Sequence, residues 1–174
     1  MLPEKSSSGL RFRKWIVVLL ALALSSDAFG DREAKADAIV IHKSGRELLV
    51  LKEGKVLRSY RVALGRNPIG AKQREGDGKT PEGEYRISGR NAMSAFHKSL
   101  RISYPDAVDR SRAAKEGVRP GGDIMIHGLP NGQGHIGAAH RLTDWTEGCI
   151  AVTNNEIEEI WRLVPDGVTV HIRP

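Results

Sequence analysis

Short apolar runs alternate with polar, glycine-containing turns along the chain from Ala38 onward. Three such runs are Ala38–His42, Glu47–Lys52 and Val56–Leu64. Runs of this length, bounded by glycine turns, are typical of β-strands. Because only a few residues separate them, the pattern predicts antiparallel neighbours in a sandwich or a meander.

Later parts of the chain predict further strands around two polar stretches. Residues 65–83 form a glycine-rich loop, and the charged residues 106–122 are predicted to form a short helix plus a loop. Additional strands are predicted at Glu84–Ser88, Asp123–His127 and Val168–Ile172. The fold class that follows is mainly β, a β-rich α+β domain.

A helix is predicted near the C-terminus. Thr153 and Glu156 have the spacing of a capping box, in which each side chain bonds the other residue's backbone amide. Apolar residues then follow at helical spacing, at Ile157, Ile160, Trp161 and Val164. Pro165 ends the helix, and Trp161 is expected to pack in the core on its apolar face.

Residues 1–28 have the three parts of a secretory signal peptide. Basic residues come first, at Arg11, Arg13 and Lys14, and an unbroken apolar run follows at Trp15–Leu24. Small residues then favour cleavage after Ala28, with a second possible position after Ala36. We therefore expect an exported protein of the periplasm or cell envelope, with a folded domain over residues 38–174. The alternative is an N-terminal membrane anchor that is not cleaved.

Composition and charge narrow the class of partner. The 174 residues carry a formal net charge of +6, and aromatic residues make up 5% of the chain. There is neither a dense block of lysine and arginine nor a nucleic-acid-binding motif, so binding to nucleic acid is disfavoured. A mildly basic exported protein suits an anionic cell envelope, although solubility alone would also account for this charge.

Cys149 is the only cysteine of the chain. An exported protein with one cysteine cannot close an internal disulfide, so this thiol is a nucleophile, an inert buried residue or half of an intermolecular disulfide. Gly148 precedes it directly, and His127 ends an apolar run 22 positions upstream. These neighbours favour the nucleophile, because an imidazole can take the thiol proton and deliver it to a leaving amine.

Two further features bear on this pair. Backbone amides at Gly148 and Cys149 are candidates for an oxyanion hole, since glycine lets a substrate carbonyl approach the main chain. His135 and His140 lie nearby in sequence and are alternative bases or surface residues. The spacing of these histidines and Cys149 fits no common zinc pattern, so a zinc site is not expected.

Several motifs together resemble the L,D-transpeptidase catalytic domain, the YkuD-like family. The first is His127-Gly128 after a buried strand, followed by Thr146-Glu147-Gly148-Cys149-Ile150. Further matches are Thr80-Pro81-Glu82-Gly83 before Tyr85, and Ser103-Tyr104-Pro105-Asp106 before Asp109-Arg110. The resemblance covers roughly residues 38–172, almost the whole segment after the predicted signal.

The resemblance implies a β-sandwich with short helices and the catalytic pair at one edge of the sheet, and it implies neither a metal nor a cofactor. It implies that Cys149 forms a thioester with a peptidoglycan stem peptide, that His127 is the general base, and that carbapenem-type inhibitors acylate the same thiol. Candidate substrate-contacting residues are Gly128, Tyr104, Trp145, Thr146 and Glu147. Trp145 is equally well interpreted as a structural residue beneath the cysteine turn.

The chain departs from the family pattern at two positions. Glu147 stands where the family usually has histidine, and Ala151 stands where it usually has arginine. A carboxylate beside the thiol raises its pKa unless it pairs with a cation, and the missing arginine removes a partner for a substrate carboxylate.

Three functions therefore remain open from the sequence. The first is an L,D-transpeptidase that transfers the donor to an amine, either to cross-link stems or to attach a protein to the wall. The second is an L,D-carboxypeptidase or amidase on the same fold, with water as the acceptor. The third is a non-catalytic wall-binding domain, which an intact Cys149 and His127 argue against.

Overall fold

The structure is a computed structural model that describes residues 34–174. The predicted signal peptide at residues 1–28 lies outside this range, so export and cleavage stay predictions. Among the described residues, no helix is both long and apolar enough to cross a membrane.

Eight strands and two α-helices make up the domain, together with one 3-10 helix. The strands are β1 (Ala38–His42), β2 (Glu47–Lys52), β3 (Lys55–Arg61), β4 (Gly83–Ser94), β5 (His97–Ile102), β6 (Met125–His127), β7 (Ile150–Ala151) and β8 (Thr169–Arg173). The helices are α1 (Ala107–Lys115), α2 (Asn154–Leu163) and the 3-10 helix Gly134–Leu142. The mainly β fold class is thereby confirmed.

The strands form one connected sheet in the order β3-β2-β1-β8-β4-β5-β6-β7. The long strand β4 joins its two halves, because its first residues pair with β8 and its later residues pair with β5. The chain after β3 then returns to the far end of the sheet, where Ala63 and Ala151 exchange both backbone hydrogen bonds, at 3.0 and 2.8 Å. The two ends of the strand order thus meet, and β7 acquires a second neighbour.

Helix α2 packs against the half of the sheet that contains β5 and β6. Its capping box forms as the sequence predicts: Thr153 and Glu156 each accept a hydrogen bond from the other's backbone amide. Ile157, Ile160 and Leu163 are buried, and α2 contacts β5 and β6. Each aliphatic side chain buried there stabilises the fold by about 1.5–3 kcal/mol, which fixes the end of β6 against the helix.

The structure corrects four boundaries and adds three elements. The third strand ends at Arg61 and not at Leu64, because the following residues pair with Ala151 and Thr146 instead of with β2. β4 runs on to Ser94, and the strands expected from Asp123 and Val168 start at Met125 and Thr169. Neither β5 nor β7 was predicted, and the third addition is the 3-10 helix, which contains His135 and His140.

Candidate active site

Strands β6 and β7 bring the predicted pair together. They run parallel, with Ile126 opposite Ile150 and His127 opposite Ala151. Cys149 directly precedes β7, so its backbone lies beside the residues that lead into His127. Two residues 22 positions apart thus sit on neighbouring strands at one end of the strand order.

The ring of His127 is held in one orientation. The side chain is buried, and Nδ1 lies 2.7 Å from the carbonyl oxygen of Gly128. A carbonyl only accepts, so Nδ1 carries the proton and Nε2 has the lone pair that a general base needs. Phe96 and Trp145 pack against the ring, with centroids 4.5 and 5.8 Å away.

The surroundings favour the neutral form of His127. Burial lowers its pKa below the ordinary value, and nearby His140 adds to this effect. The hydrogen bond to Gly128 acts in the opposite direction. At neutral pH the imidazole is therefore uncharged and able to accept a proton.

A tight turn presents Cys149. The hydroxyl of Thr146 donates to the Cys149 carbonyl oxygen at 2.8 Å and accepts from the Gly148 amide at 3.1 Å. Gly148 has a φ of +128°, and a Cβ there would lie 2.4 Å from the Lys79 carbonyl oxygen. Only glycine fits this position, because both the dihedral and the close approach exclude a side chain.

This turn changes the expectation for an oxyanion hole. The Gly148 amide is already hydrogen-bonded to Thr146, so in this conformation it does not point freely to a ligand. The Cys149 amide is the candidate that remains of the predicted pair. Thr146 is buried, and its hydroxyl group closes the turn. This structural role is a sufficient reason for a threonine at this position of the motif, without a contact to substrate.

The thiol of Cys149 is half-buried and contacts the backbone just before β6. Its Sγ lies 3.5 Å from the carbonyl oxygen of Asp123, and no hydrogen bond joins it to His127 within residues 34–174. Burial raises the thiol pKa, and Asp123 adds to the rise, whereas the Met125 amide and Lys72 lower it. The resting pair is therefore a neutral thiol and a neutral imidazole, and proton transfer requires the thiol to exchange its bond to Asp123 for one to His127.

The structure explains both departures from the family pattern. Glu147 is 63% exposed and forms an ion pair with Arg66, so its charge is met by a cation and not directed at the thiol. Ala151 is fully buried in β7, with its amide and carbonyl bonded to Ala63. A positive charge near the thiol must therefore come from elsewhere in the fold.

The other candidate residues act mainly through packing. Tyr104 is buried, and its hydroxyl donates to the Pro120 carbonyl at 2.8 Å, so it supports the loop before β6 from beneath. Gly128 is buried against Asn154 and provides the carbonyl that orients His127. Trp145 packs on His127 and lines a cavity of about 200 Å³, and its contact with a substrate stays a prediction.

The alternative histidines take different places. His135 is exposed on the 3-10 helix. His140 is buried, and its Nδ1 accepts a hydrogen bond from Trp145 Nε1 at 3.4 Å. Neither contacts Cys149 among the residues described, and His140 instead supports the tryptophan that packs on His127. In the same range, no group of three or more histidine, cysteine, aspartate or glutamate side chains is placed to hold a metal ion.

Three residues near the site were missed in the sequence. Phe96, which directly precedes the unpredicted β5, packs on His127. Lys72 and Asp77 form an ion pair at 2.9 Å within the glycine-rich loop. Lys72 also lines a cavity of about 540 Å³, whose wall includes Asp123 and Glu147. The aspartate between two glycines, at Gly76-Asp77-Gly78, was a turn signal that pointed to this loop.

Comparison with known proteins agrees with this architecture. The family model for the YkuD L,D-transpeptidase catalytic domain matches residues 36–172. A candidate L,D-transpeptidase, YafK of Escherichia coli strain K12, is 34% identical over 134 residues, which cover 72% of this chain and 46% of YafK. The chain thus spans about half the length of that curated relative.

Solved structures show the same fold. The helical cell shape determining protein Pgp2 of Campylobacter jejuni aligns with a TM-score of 0.62 and 26% identity, over 81% of this chain and 48% of Pgp2. Bd1075 of Bdellovibrio bacteriovorus aligns with a TM-score of 0.57 and 22% identity, over 80% of this chain and 48% of that protein, which supports the fold alone. Because the family model matches nearly the whole described domain, the chain belongs to the YkuD family of L,D-transpeptidase catalytic domains.

Proposed function

We propose that this protein is a peptidoglycan L,D-transpeptidase that uses Cys149 as its nucleophile and His127 as its general base. The observation that carries the proposal is the bond from His127 Nδ1 to the Gly128 carbonyl, 2.7 Å long, one strand away from Cys149. This bond leaves Nε2 unprotonated on a residue whose pKa is lowered by burial, as a base acting at neutral pH requires.

The reaction follows from these two groups. The thiol proton passes to His127 Nε2 as the sulfur attacks the carbonyl carbon of a stem-peptide amide. The carbon–nitrogen bond then breaks, and the leaving amine takes the proton from the imidazolium. The product is a thioester on Cys149, with the donor's third residue as the acyl group and D-alanine as the leaving group.

An amine acceptor completes the cycle. It loses a proton to His127 Nε2 and attacks the thioester, which forms a new amide and returns the thiol. Acceptors in this scheme are the amine of another stem or of a protein to be attached to the wall. With water as acceptor, the same steps give a carboxypeptidase or an amidase.

We further propose that the enzyme acts outside the cytoplasmic membrane. The order of charged, apolar and small residues at positions 1–28 supports export, and the substrate class requires it. Carbapenems, as amide-like electrophiles, are proposed to acylate Cys149.

Product analysis tests this function. Purified protein is incubated with a tetrapeptide stem, alone and with an amine-bearing stem, and the products are resolved by mass spectrometry. Release of D-alanine with a cross-linked peptide supports transpeptidation, whereas release with only a shortened peptide supports the hydrolase. An unchanged tetrapeptide under both conditions contradicts the proposed function.

A further inference from the structure

Lys72 is a buried cation with unused hydrogen-bonding capacity. Its side chain is 3% exposed, and Nζ donates to Asp77 Oδ1 at 2.9 Å. Within residues 34–174 this is its one hydrogen bond, although an ammonium group has three N–H donors. A buried charge with spare donors is costly unless a further acceptor reaches it.

The counter-ion of Lys72 is shared with the backbone. The carboxylate of Asp77 also accepts from the amides of Gln73, Arg74 and Lys79, at 2.8 to 3.0 Å. Burial opposes the charge of Asp77, but Lys72 and the three amides together lower its pKa to about 2. The carboxylate of Asp77 thus accepts from four donors, of which the ammonium group of Lys72 is one.

Lys72 lines the cavity of about 540 Å³ beside the cysteine turn. The carboxylates around this cavity have cations of their own: Asp123 pairs with Arg101 at 2.9 Å, Glu75 pairs with Arg119 at 3.0 Å, and Glu147 pairs with Arg66. Two cations line the cavity: Arg119 is 84% exposed and pairs with Glu75, whereas Lys72 is buried and has donors left for a ligand.

The loop that carries Lys72 is packed directly on the nucleophile's turn. The Lys79 carbonyl approaches Gly148 so closely that a Cβ would lie 2.4 Å away, and Asp77 holds the amide of Lys79. The Arg112 side chain also donates to the Lys72 carbonyl at 3.0 Å. The ammonium group therefore has a fixed position relative to Cys149, as a recognition group requires. Its charge also lowers the pKa of the Cys149 thiol, which agrees with this closeness.

We propose that Lys72 binds a carboxylate of the peptide substrate in this cavity. It would thereby supply the positive charge that the family carries as arginine at the position of Ala151. The inference rests on the proposed function, because the ligand is the peptide that reacts with Cys149. Its substrate class is a peptide with a free carboxylate near the scissile amide.

Binding to a protein that cannot react tests the proposal. The Cys149→Ala protein is titrated calorimetrically with a tetrapeptide that ends in a carboxylate and with the same peptide as its carboxamide. We expect the carboxylate to bind about tenfold or more tightly, the usual effect of a hydrogen bond to a charged group. Lys72→Met should bring the ratio of the two affinities close to one, and Lys55→Gln, an exposed lysine on β3, should leave it unchanged.

The variant Asp77→Asn distinguishes carboxylate binding by Lys72 from a purely structural role of the Lys72–Asp77 pair in the loop. If Lys72 binds the ligand, Asp77→Asn relieves the lysine of its counter-ion and keeps or increases the preference for the carboxylate. If the pair only shapes the loop, Asp77→Asn and Lys72→Met lose affinity for both peptides alike, which overturns the proposal. Where Lys72→Met does not fold, the double variant with Asp77→Asn removes both charges together and is expected to show the same loss of preference.

Two results distinguish this inference from the proposed function. An equal affinity for both peptides, or a preference that survives Lys72→Met, overturns the role of Lys72 while leaving thioester chemistry intact. A parent protein that forms no thioester with either peptide contradicts the proposed function, and the affinity ratio in the Cys149→Ala protein still decides the role of Lys72.

Discussion

The Nδ1 atom of His127 lies 2.7 Å from the carbonyl oxygen of Gly128, the next residue in the chain. The backbone of Gly128 is itself fixed by tight packing. A Cβ at this glycine would lie 2.8 Å from Asn154 Oδ1 and 3.1 Å from the Phe96 carbonyl oxygen. The orientation of the proposed base therefore depends on a residue that has no room for a side chain.

We expect Gly128→Ala to impair both stability and thiol reactivity. Overpacking of this kind costs about 1–3 kcal/mol, and relief of the clash must move the carbonyl that orients His127. Gly89→Ala is the matched control, because no atom lies within 4 Å of the added Cβ. Urea unfolding and the rate of Cys149 acylation measure the two effects. Equal behaviour of the two variants would show that Gly128 does not position the base.

His127→Ala should lower the acylation rate by at least about 10²-fold, the lower end for a general base. His135→Ala is the control, since His135 is exposed on the 3-10 helix and contacts neither proposed catalytic residue. His140→Ala should act less than His127→Ala, through the loss of its bond to Trp145. Single-turnover kinetics decide the order, and a larger loss at His140 would move the base to that residue.

Glu147→Gln should leave acceptor selectivity nearly unchanged. A carboxylate at this position would favour a cationic amine acceptor only if it were partly enclosed. The side chain is 63% exposed and paired with Arg66, and such surface pairs contribute about 0–1 kcal/mol. Competition between charged and neutral amine acceptors measures the effect, with Arg66→Gln as the matched partner. A strong shift in Glu147→Gln alone would show that the carboxylate reaches the acceptor.

Stability should decline on both sides of a window around neutral pH. Burial is the main cause that lowers the pKa of His127 in the folded protein below 6.5. As the pH drops below 6.5, the unfolded chain therefore takes up this proton before the folded protein does, and stability falls. Burial is the main cause that raises the pKa of Cys149 in the folded protein above 9.0. As the pH rises beyond 9.0, the thiol of the unfolded chain therefore loses its proton before that of the folded protein does, and stability falls. Urea unfolding across this range measures both limits. Cys149→Ala should weaken the alkaline decline, and an identical decline in both proteins would contradict the raised thiol pKa.

Local signals in the sequence were enough for several elements. The boundaries of β1 and β2 and the capping box of α2 follow from turns and spacing within a few residues. The adjacency of His127 and Cys149 followed from the family resemblance and from the strand that ends at His127. These features do not depend on which distant segment packs against them.

Other elements depend on tertiary contacts that no local pattern encodes. β5 contains His97, Lys98 and Arg101, and it becomes a strand because β4 and β6 flank it on both sides. The burial of Lys72 depends on a carboxylate five positions away and on the cover provided by Gly121. A lysine in a polar loop is normally a surface residue, so its position at the site becomes visible only in the folded chain.

The most direct test of the account is the covalent state of Cys149 during reaction with a tetrapeptide stem. The protein is quenched in acid within one turnover, and its intact mass and peptide map are determined. The account predicts an acyl adduct on Cys149, at the mass of the stem without its terminal D-alanine, and no adduct in Cys149→Ala. An adduct on another residue, or D-alanine release that persists in Cys149→Ala, would contradict it.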